Sequence, residues 1–87
     1  MDFEFDPDKS AANRAKHGID FDEAQALWDD RNLAVAPALV GPEPRFLAIG
    51  MIGEKVWNAV FTWRDDRLRI ISVRRSRANE VKRYEED

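Results

Sequence analysis

Positive charge is concentrated in one stretch of this chain. Residues 64–83 carry 8 Lys or Arg against 3 Asp or Glu, whereas residues 1–63 carry 6 against 11 and residues 84–87 carry 0 against 3. A formal net charge of -3 therefore hides a cationic block, and clustered cations are the footprint of a surface that receives phosphates. Within the block, Arg64, Arg69 and Arg74 are the first candidates for chemistry. A guanidinium fork pairs two phosphate oxygens at once and stays charged in any environment. Three such groups could stabilise the phosphorane formed when a 2′-hydroxyl attacks the adjacent phosphate, provided other side chains move the protons.

Three residues qualify for those proton transfers. His17 is the one histidine, with an ordinary pKa near neutrality; at a helix end it also serves the last carbonyls, so a capping role competes. Glu80 and Tyr84 are four apart and share a helix face. They could act as base and acid, the phenol only if nearby cations lower its pKa, or Glu80 could lock Arg74 and Arg77 in place. Lys16, Arg67, Arg75 and Arg77 are further candidates for RNA binding.

The composition narrows the classes. No cysteine and a single histidine leave no soft-metal ligand set and no disulfides, so neither metal nor cofactor is expected. The N-terminus alternates in polarity through Met1-Asp2-Phe3-Glu4-Phe5-Asp6 instead of running apolar, and nothing is long and apolar enough for a membrane span. The expectation is a cytoplasmic protein of one domain, residues 1–87, with 44% hydrophobic residues to fill a single core.

The elements that must position the candidates follow from local signals. Phe3-Glu4-Phe5 reads as a short strand. Asp6-Pro7-Asp8 starts a helix that Gly18 closes after His17. Asp20 with Glu23 starts a second, whose buried stripe is Phe21, Ala24, Leu27 and Trp28. A strand over residues 33–36 precedes an irregular stretch set by Pro37, Gly41, Pro42 and Pro44. Three antiparallel strands follow, at 45–52, 55–64 and 67–73, turning at Gly53-Glu54 and Asp65-Asp66. A two-residue turn at Asp65-Asp66 would set Trp63 opposite Leu68, Phe61 opposite Ile70, Ala59 opposite Ser72 and Trp57 opposite Arg74. That aromatic face should take the helices. Asn58, Val60, Thr62, Arg64, Arg67, Arg69, Ile71 and Val73 would form the other face. Ser76 can cap a last helix reaching Tyr84.

Several segments now stand together: Phe5-Asp6-Pro7 with Lys9 and Asn13, Lys16-His17-Gly18-Ile19 with Phe21-Asp22-Glu23-Ala24, Arg45 with Gly50, and Arg69-Ile70-Ile71-Ser72-Val73-Arg74 with Glu80 and Tyr84. In order and spacing they resemble the BrnT family of bacterial type II toxins, RelE-like ribonucleases neutralised by a BrnA antitoxin. The resemblance implies an α+β fold, RelE-like, with an antiparallel curved sheet, two N-terminal helices and a C-terminal helix, the helices on one side and RNA cleavage on the other. Arg69 and Arg74 fall on positions of the family pattern. It further implies RNA as substrate, mRNA cleavage that arrests translation, an acidic antitoxin segment covering the arginine surface, and DNA reached only indirectly through that antitoxin. The net acidic charge keeps a second reading open, a non-catalytic RNA- or partner-binding module acting only within a toxin–antitoxin complex.

Overall fold

Asp6 and Pro7 start the first helix where their types require it. In the computed structural model, which describes residues 1–38 and 41–86, strand β1 (Phe3–Glu4) leads into helix α1 (Pro7–His17). The Asp6 carboxylate accepts the Asp8 N–H at 2.9 Å, and Gly18 closes the helix at φ 79 with its N–H on the Arg14 carbonyl. A left-handed φ there suits glycine. Asn13, buried on α1, uses its side-chain amide as a strand would. It accepts from the Val73 N–H at 3.2 Å and donates to the Val73 carbonyl at 2.9 Å and the Ile19 carbonyl at 2.8 Å.

The second helical segment, Glu23–Asp29, forms with the expected Asp20–Glu23 pairing just before it, but its N-cap is Asp22 rather than Asp20 and its winding differs. Asp20 and Glu23 bond reciprocally, side chain to backbone N–H, at 2.7 and 3.1 Å, yet the turns are 3-10 rather than α. The reason lies in the spacing: Phe21, Ala24 and Leu27, at most 1% exposed, recur every third residue, and three residues per turn stacks them in one line against the sheet. Of the two N-terminal helices expected, then, one is α-helical.

The sheet has five strands in the order β1-β5-β4-β3-β2, with β2 Ala34–Ala38, β3 Arg45–Ile52, β4 Lys55–Arg64 and β5 Arg67–Arg75. It is mixed, not purely antiparallel, because β1 runs parallel to β5 with Phe3 beside Leu68 and Glu4 beside Arg69. β2 also continues through Pro37, which pairs with Phe46; on an outer strand the missing N–H is tolerated. Of the irregular stretch that the prolines predict, residues 39–40 lie outside the described residues.

The last hairpin departs from the expected register at one point. Asp65 and Asp66 both take positive φ, 51 and 68, as a primed two-residue turn requires. Trp63 faces Leu68 and Phe61 faces Ile70, as the turn dictates, but Val60 then faces Ser72, Ala59 faces Val73, Asn58 faces Arg74 and Trp57 faces Arg75. Ile71 is the extra residue of a bulge, so everything after it on β5 changes face. Val73 turns into the core, and Arg74 joins Arg69 on the opposite side.

Two cores result, one on each face. Phe61, Ala59, Leu68, Ile70 and Val73 pack under α1 and the 3-10 helix with Phe21, Ala24 and Leu27. Trp28 bridges Phe3 and Phe61, edge to face, at centroid distances of 5.4 Å each. Trp63, expected in this core, is 51% exposed beyond the reach of the helices. The second cluster, Ile49, Val56 and Tyr84, lies under the last helix, α2 (Ala78–Glu85). The helices therefore cover both faces rather than one. Nor does Ser76 cap α2: the N-cap is Arg77, whose backbone N–H donates to the Glu80 carboxylate at 2.8 Å, while the Ser76 hydroxyl donates to Asn58 Oδ1. No helix is long and apolar enough to cross a membrane among the described residues.

Candidate functional site

The bulge at Ile71 decides which cations share a surface. Arg64 alternates with Trp63, Arg69 lies between the buried Leu68 and Ile70, and Arg74 follows the buried Val73. All three thus project from the face that α2 partly covers. Without the extra residue, Arg69 and Arg74 would point to opposite sides, since five residues separate them along a pleat of period two.

At the turn end, Arg69 donates to Glu4 at 2.7 Å and Arg64 stands 3.9 Å from the same carboxylate. Glu4 comes from β1, so the parallel pairing of that strand supplies a counter-charge invisible in the local sequence. At the other end, the Arg74 fork grips Glu80 of α2 with both nitrogens, at 2.8 and 2.7 Å. The Asn58 amide, buried beneath, donates to Glu80 at 2.8 Å and accepts from Ser76. The hydrogen bond from Arg74 is the main cause that holds the Glu80 carboxyl down at about 2, against the opposing effect of burial; the Arg77 N–H, the Arg74 charge and Asn58 add to it. The same bond raises the Arg74 pKa. Glu80 is thus an ionised acceptor that orients Arg74. Between the two ends, Val60 and Ser72 face each other beside Leu47.

The remaining candidates are distributed more widely. Tyr84 donates to Asp30, at 2.5 Å, and that bond, with burial and the Asp30 charge, pushes its pKa up to about 12. The arginines do not depress it. Burial alone would raise the Asp30 pKa, but Tyr84 and the backbone N–H groups of Asn32 and Met51 outweigh it and lower the net value. Arg75, turned toward the core side by the bulge, lies over the Trp57 ring at 5.5 Å. Arg67 and Arg77 are exposed. Lys16 and His17 sit on the last turn of α1, across the sheet from the three arginines, and make no side-chain hydrogen bond or ion pair among the described residues. Glu4, Asn58 and Asp30 are the partners that sequence reasoning missed.

A concavity lies elsewhere, around Asp29, Asp30, Arg31, Met51, Tyr84 and Glu85. Three carboxylates against one guanidinium make it a poor receptor for phosphate, so the arginine face is the better candidate. Among the described residues no three His, Cys, Asp or Glu side chains come together as metal ligands.

No curated protein matches the chain at a significant level. The model of the family described as ribonuclease toxin, BrnT, of type II toxin-antitoxin system matches residues 5–80. That span runs from the residue before the α1 cap to Glu80 and contains Arg64, Arg69, Arg74 and their bulged strand. The chain belongs to the BrnT family of ribonuclease toxins of type II toxin–antitoxin systems.

Proposed function

We propose that this chain is a RelE-like endoribonuclease that works in the cytoplasm without a metal, cleaves mRNA so that translation and growth stop, and uses the face bearing Arg64, Arg69 and Arg74. The observation that carries the reading is the bulge at Ile71, which brings Arg69 and Arg74 onto one surface. Arg74 stabilises the charge of the phosphorane at the scissile phosphate, and Arg64 and Arg69, at the turn end of the same face, hold the RNA backbone beside it. Glu80 orients Arg74 in the free protein. When the substrate phosphate takes over the Arg74 fork, the main cause of the low Glu80 pKa is removed, and the carboxylate regains the basicity to accept the 2′-hydroxyl proton as that oxygen bonds to phosphorus; the bond from phosphorus to the 5′-oxygen then breaks, and the departing oxygen takes up a proton from solvent. Tyr84, with a raised pKa and Asp30 as its partner, holds α2 against the sheet instead of transferring protons. His17, on the last turn of α1 in the other layer, stands where a basic side chain favours the helix dipole and takes no part in the proton transfers. The partner is a BrnA-like antitoxin whose acidic segment covers the same arginines, and DNA is reached only through it.

The test is cleavage of RNA by the purified chain with and without chelator, together with Arg74→Ala. Activity should be unchanged by chelator and fall about 10²–10³-fold in the variant, as for loss of one transition-state donor. Cleavage lost to chelator and restored by magnesium would replace the arginine mechanism with a carboxylate metal site, and a folded Arg74→Ala chain of full activity would remove that residue from the site.

A further inference from the structure

At the turn end of the arginine face the sheet register lines up a row of residues that the reading above does not use in full. Thr62 faces Arg69 on β5, and Arg69 faces Glu4 on β1. On the other side of Thr62, one residue beyond the Phe46–Phe61 pair, stands Arg45, the first residue of β3. The pleat gives Arg45 the same side as Leu47 and Thr62. The Thr62 hydroxyl donates to the Pro44 carbonyl at 2.6 Å and ties the start of β3 to this row. Two guanidiniums thus flank one buried threonine, with Arg64 next to them.

Arg45 differs from its neighbours in what its donors meet. The Nε is buried and has no hydrogen-bond partner among the described residues. Its nearest acid, Glu43, is 3.6 Å from the terminal nitrogen and 56% exposed, a weak partner in solvent. An unpaired buried donor marks a guanidinium whose protein partners are incomplete, and on a side chain still 31% exposed the terminal nitrogens are the ones an arriving anionic oxygen can reach. Arg69, by contrast, spends one nitrogen on Glu4 and keeps the rest of its fork available.

We infer that Arg45 and Arg69 form a second phosphate subsite over Thr62, separate from Arg74, so that the face holds a single-stranded RNA by more than one phosphate. Thr62 and Asn58 are four residues apart on β4, which sets the Arg45–Arg69 row and the Arg74 row about 13 Å apart at a rise of about 3.3 Å per residue. The floor between them is Leu47, Val60 and Ser72. Two apolar side chains and a hydroxyl offer a base and a ribose something to lie on while the cations take the backbone. The two rows fix the strand's direction across the sheet, which one arginine cluster could not.

The inference rests on the proposed RNA-cleaving reading, and salt dependence separates the two. A fluorescently labelled single-stranded oligoribonucleotide is titrated with the full chain at several salt concentrations, for the parent, Arg45→Gln, Arg45→Lys and the control Lys55→Gln. Each phosphate contact on a single strand contributes about 0.7 to the slope of log affinity against log salt. Arg45→Gln should therefore lower the slope by about 0.7 and weaken binding about fivefold at 0.1 M salt. Arg45→Lys should keep the slope with a smaller loss of affinity, since the charge remains without the fork, and Lys55→Gln should match the parent. If the parent binds RNA but Arg45→Gln keeps its slope and affinity, the subsite is overturned and the RNA reading stands. Equal losses in Gln and Lys variants with an unchanged slope would make Arg45 a structural residue and overturn the subsite as well. A parent that binds no RNA at any salt overturns both.

Discussion

The two faces of the sheet are built on different terms. Under α1 and the 3-10 helix, aromatic and aliphatic side chains recur at positions fixed by local spacing, and they touch one another irrespective of partner identity. On the α2 face the important contacts join separate elements through oriented polar bonds: Glu4 with Arg69 and Arg64, Glu80 with Arg74, Asp30 with Tyr84. The first face holds the larger of the two buried clusters. The second holds charges where a substrate can displace their partners. Loss of packing and loss of charge should then separate in experiment.

The largest effect is expected from the packed side. Phe61, 3% exposed and in contact with Trp28, Phe46 and Trp63, should cost about 3–5 kcal/mol when replaced by alanine, read from urea unfolding. Arg64→Ala, with its side chain 62% exposed, should stay within about 0.5 kcal/mol of the parent. Equal costs for the two would abolish the contrast between the faces.

Acid should act through the second face. Glu80 has a pKa of about 2 in the folded chain against 4.5 ordinarily, so the unfolded chain binds the extra proton first as pH falls. The Arg74–Glu80 pair therefore contributes stability above pH 4.5 that is lost between 4.5 and 2. A pKa difference of that size corresponds to at most about 3 kcal/mol. Unfolding curves of the parent and Glu80→Gln should converge toward the acid end of that window, and parallel curves would mean that the pair contributes nothing to stability.

Much of the first face was legible in the sequence, and most of the second was not. Asp6-Pro7 and Gly18 bound α1 at its observed residues because caps act within a turn of where they stand. The register of the last hairpin was legible as far as Ile70, since a two-residue turn propagates along paired strands. The bulge at Ile71 has no glycine to announce it, and missing it put Arg74 on the wrong side. The winding of residues 23–29 had a signal in the strict three-residue spacing of Phe21, Ala24 and Leu27, overlooked because Trp28 also fits an α-helical stripe. The spacing of Glu80 and Tyr84 put them on one face of α2 but did not say which face of the sheet that helix would cover. Partners such as Glu4, 65 residues from Arg69, depend on a parallel pairing that no local pattern encodes.

The smallest effect should come from the bond that ties the last helix to the end of the 3-10 helix. Tyr84→Phe removes one of three donors to Asp30 and should cost about 1.5 kcal/mol. In the parent, the raised pKa means that the bond's contribution is complete below pH 10.0 and lost as pH rises toward about 12. Because Tyr84 is the chain's one tyrosine, absorbance of the phenolate reports this group alone. A midpoint at its ordinary value would mean that Asp30 does not hold it in solution.

Asn13 and Pro37 have a consequence for how the chain survives at high concentration. A five-stranded sheet in a chain this small exposes two rims, and unpaired backbone groups along a rim invite another copy to add its own strand. Beyond the two residues of β1, the rim of β5 is met by the Asn13 amide, which saturates both polar groups of Val73. On the opposite rim, β2 is short and carries a proline that has no proton to offer. Each device interrupts templated growth by a single residue. Exchange of Asn13 for an aliphatic side chain would leave the Ile19 and Val73 backbone groups without these partners, which lowers stability and also opens a site for self-association along the rim.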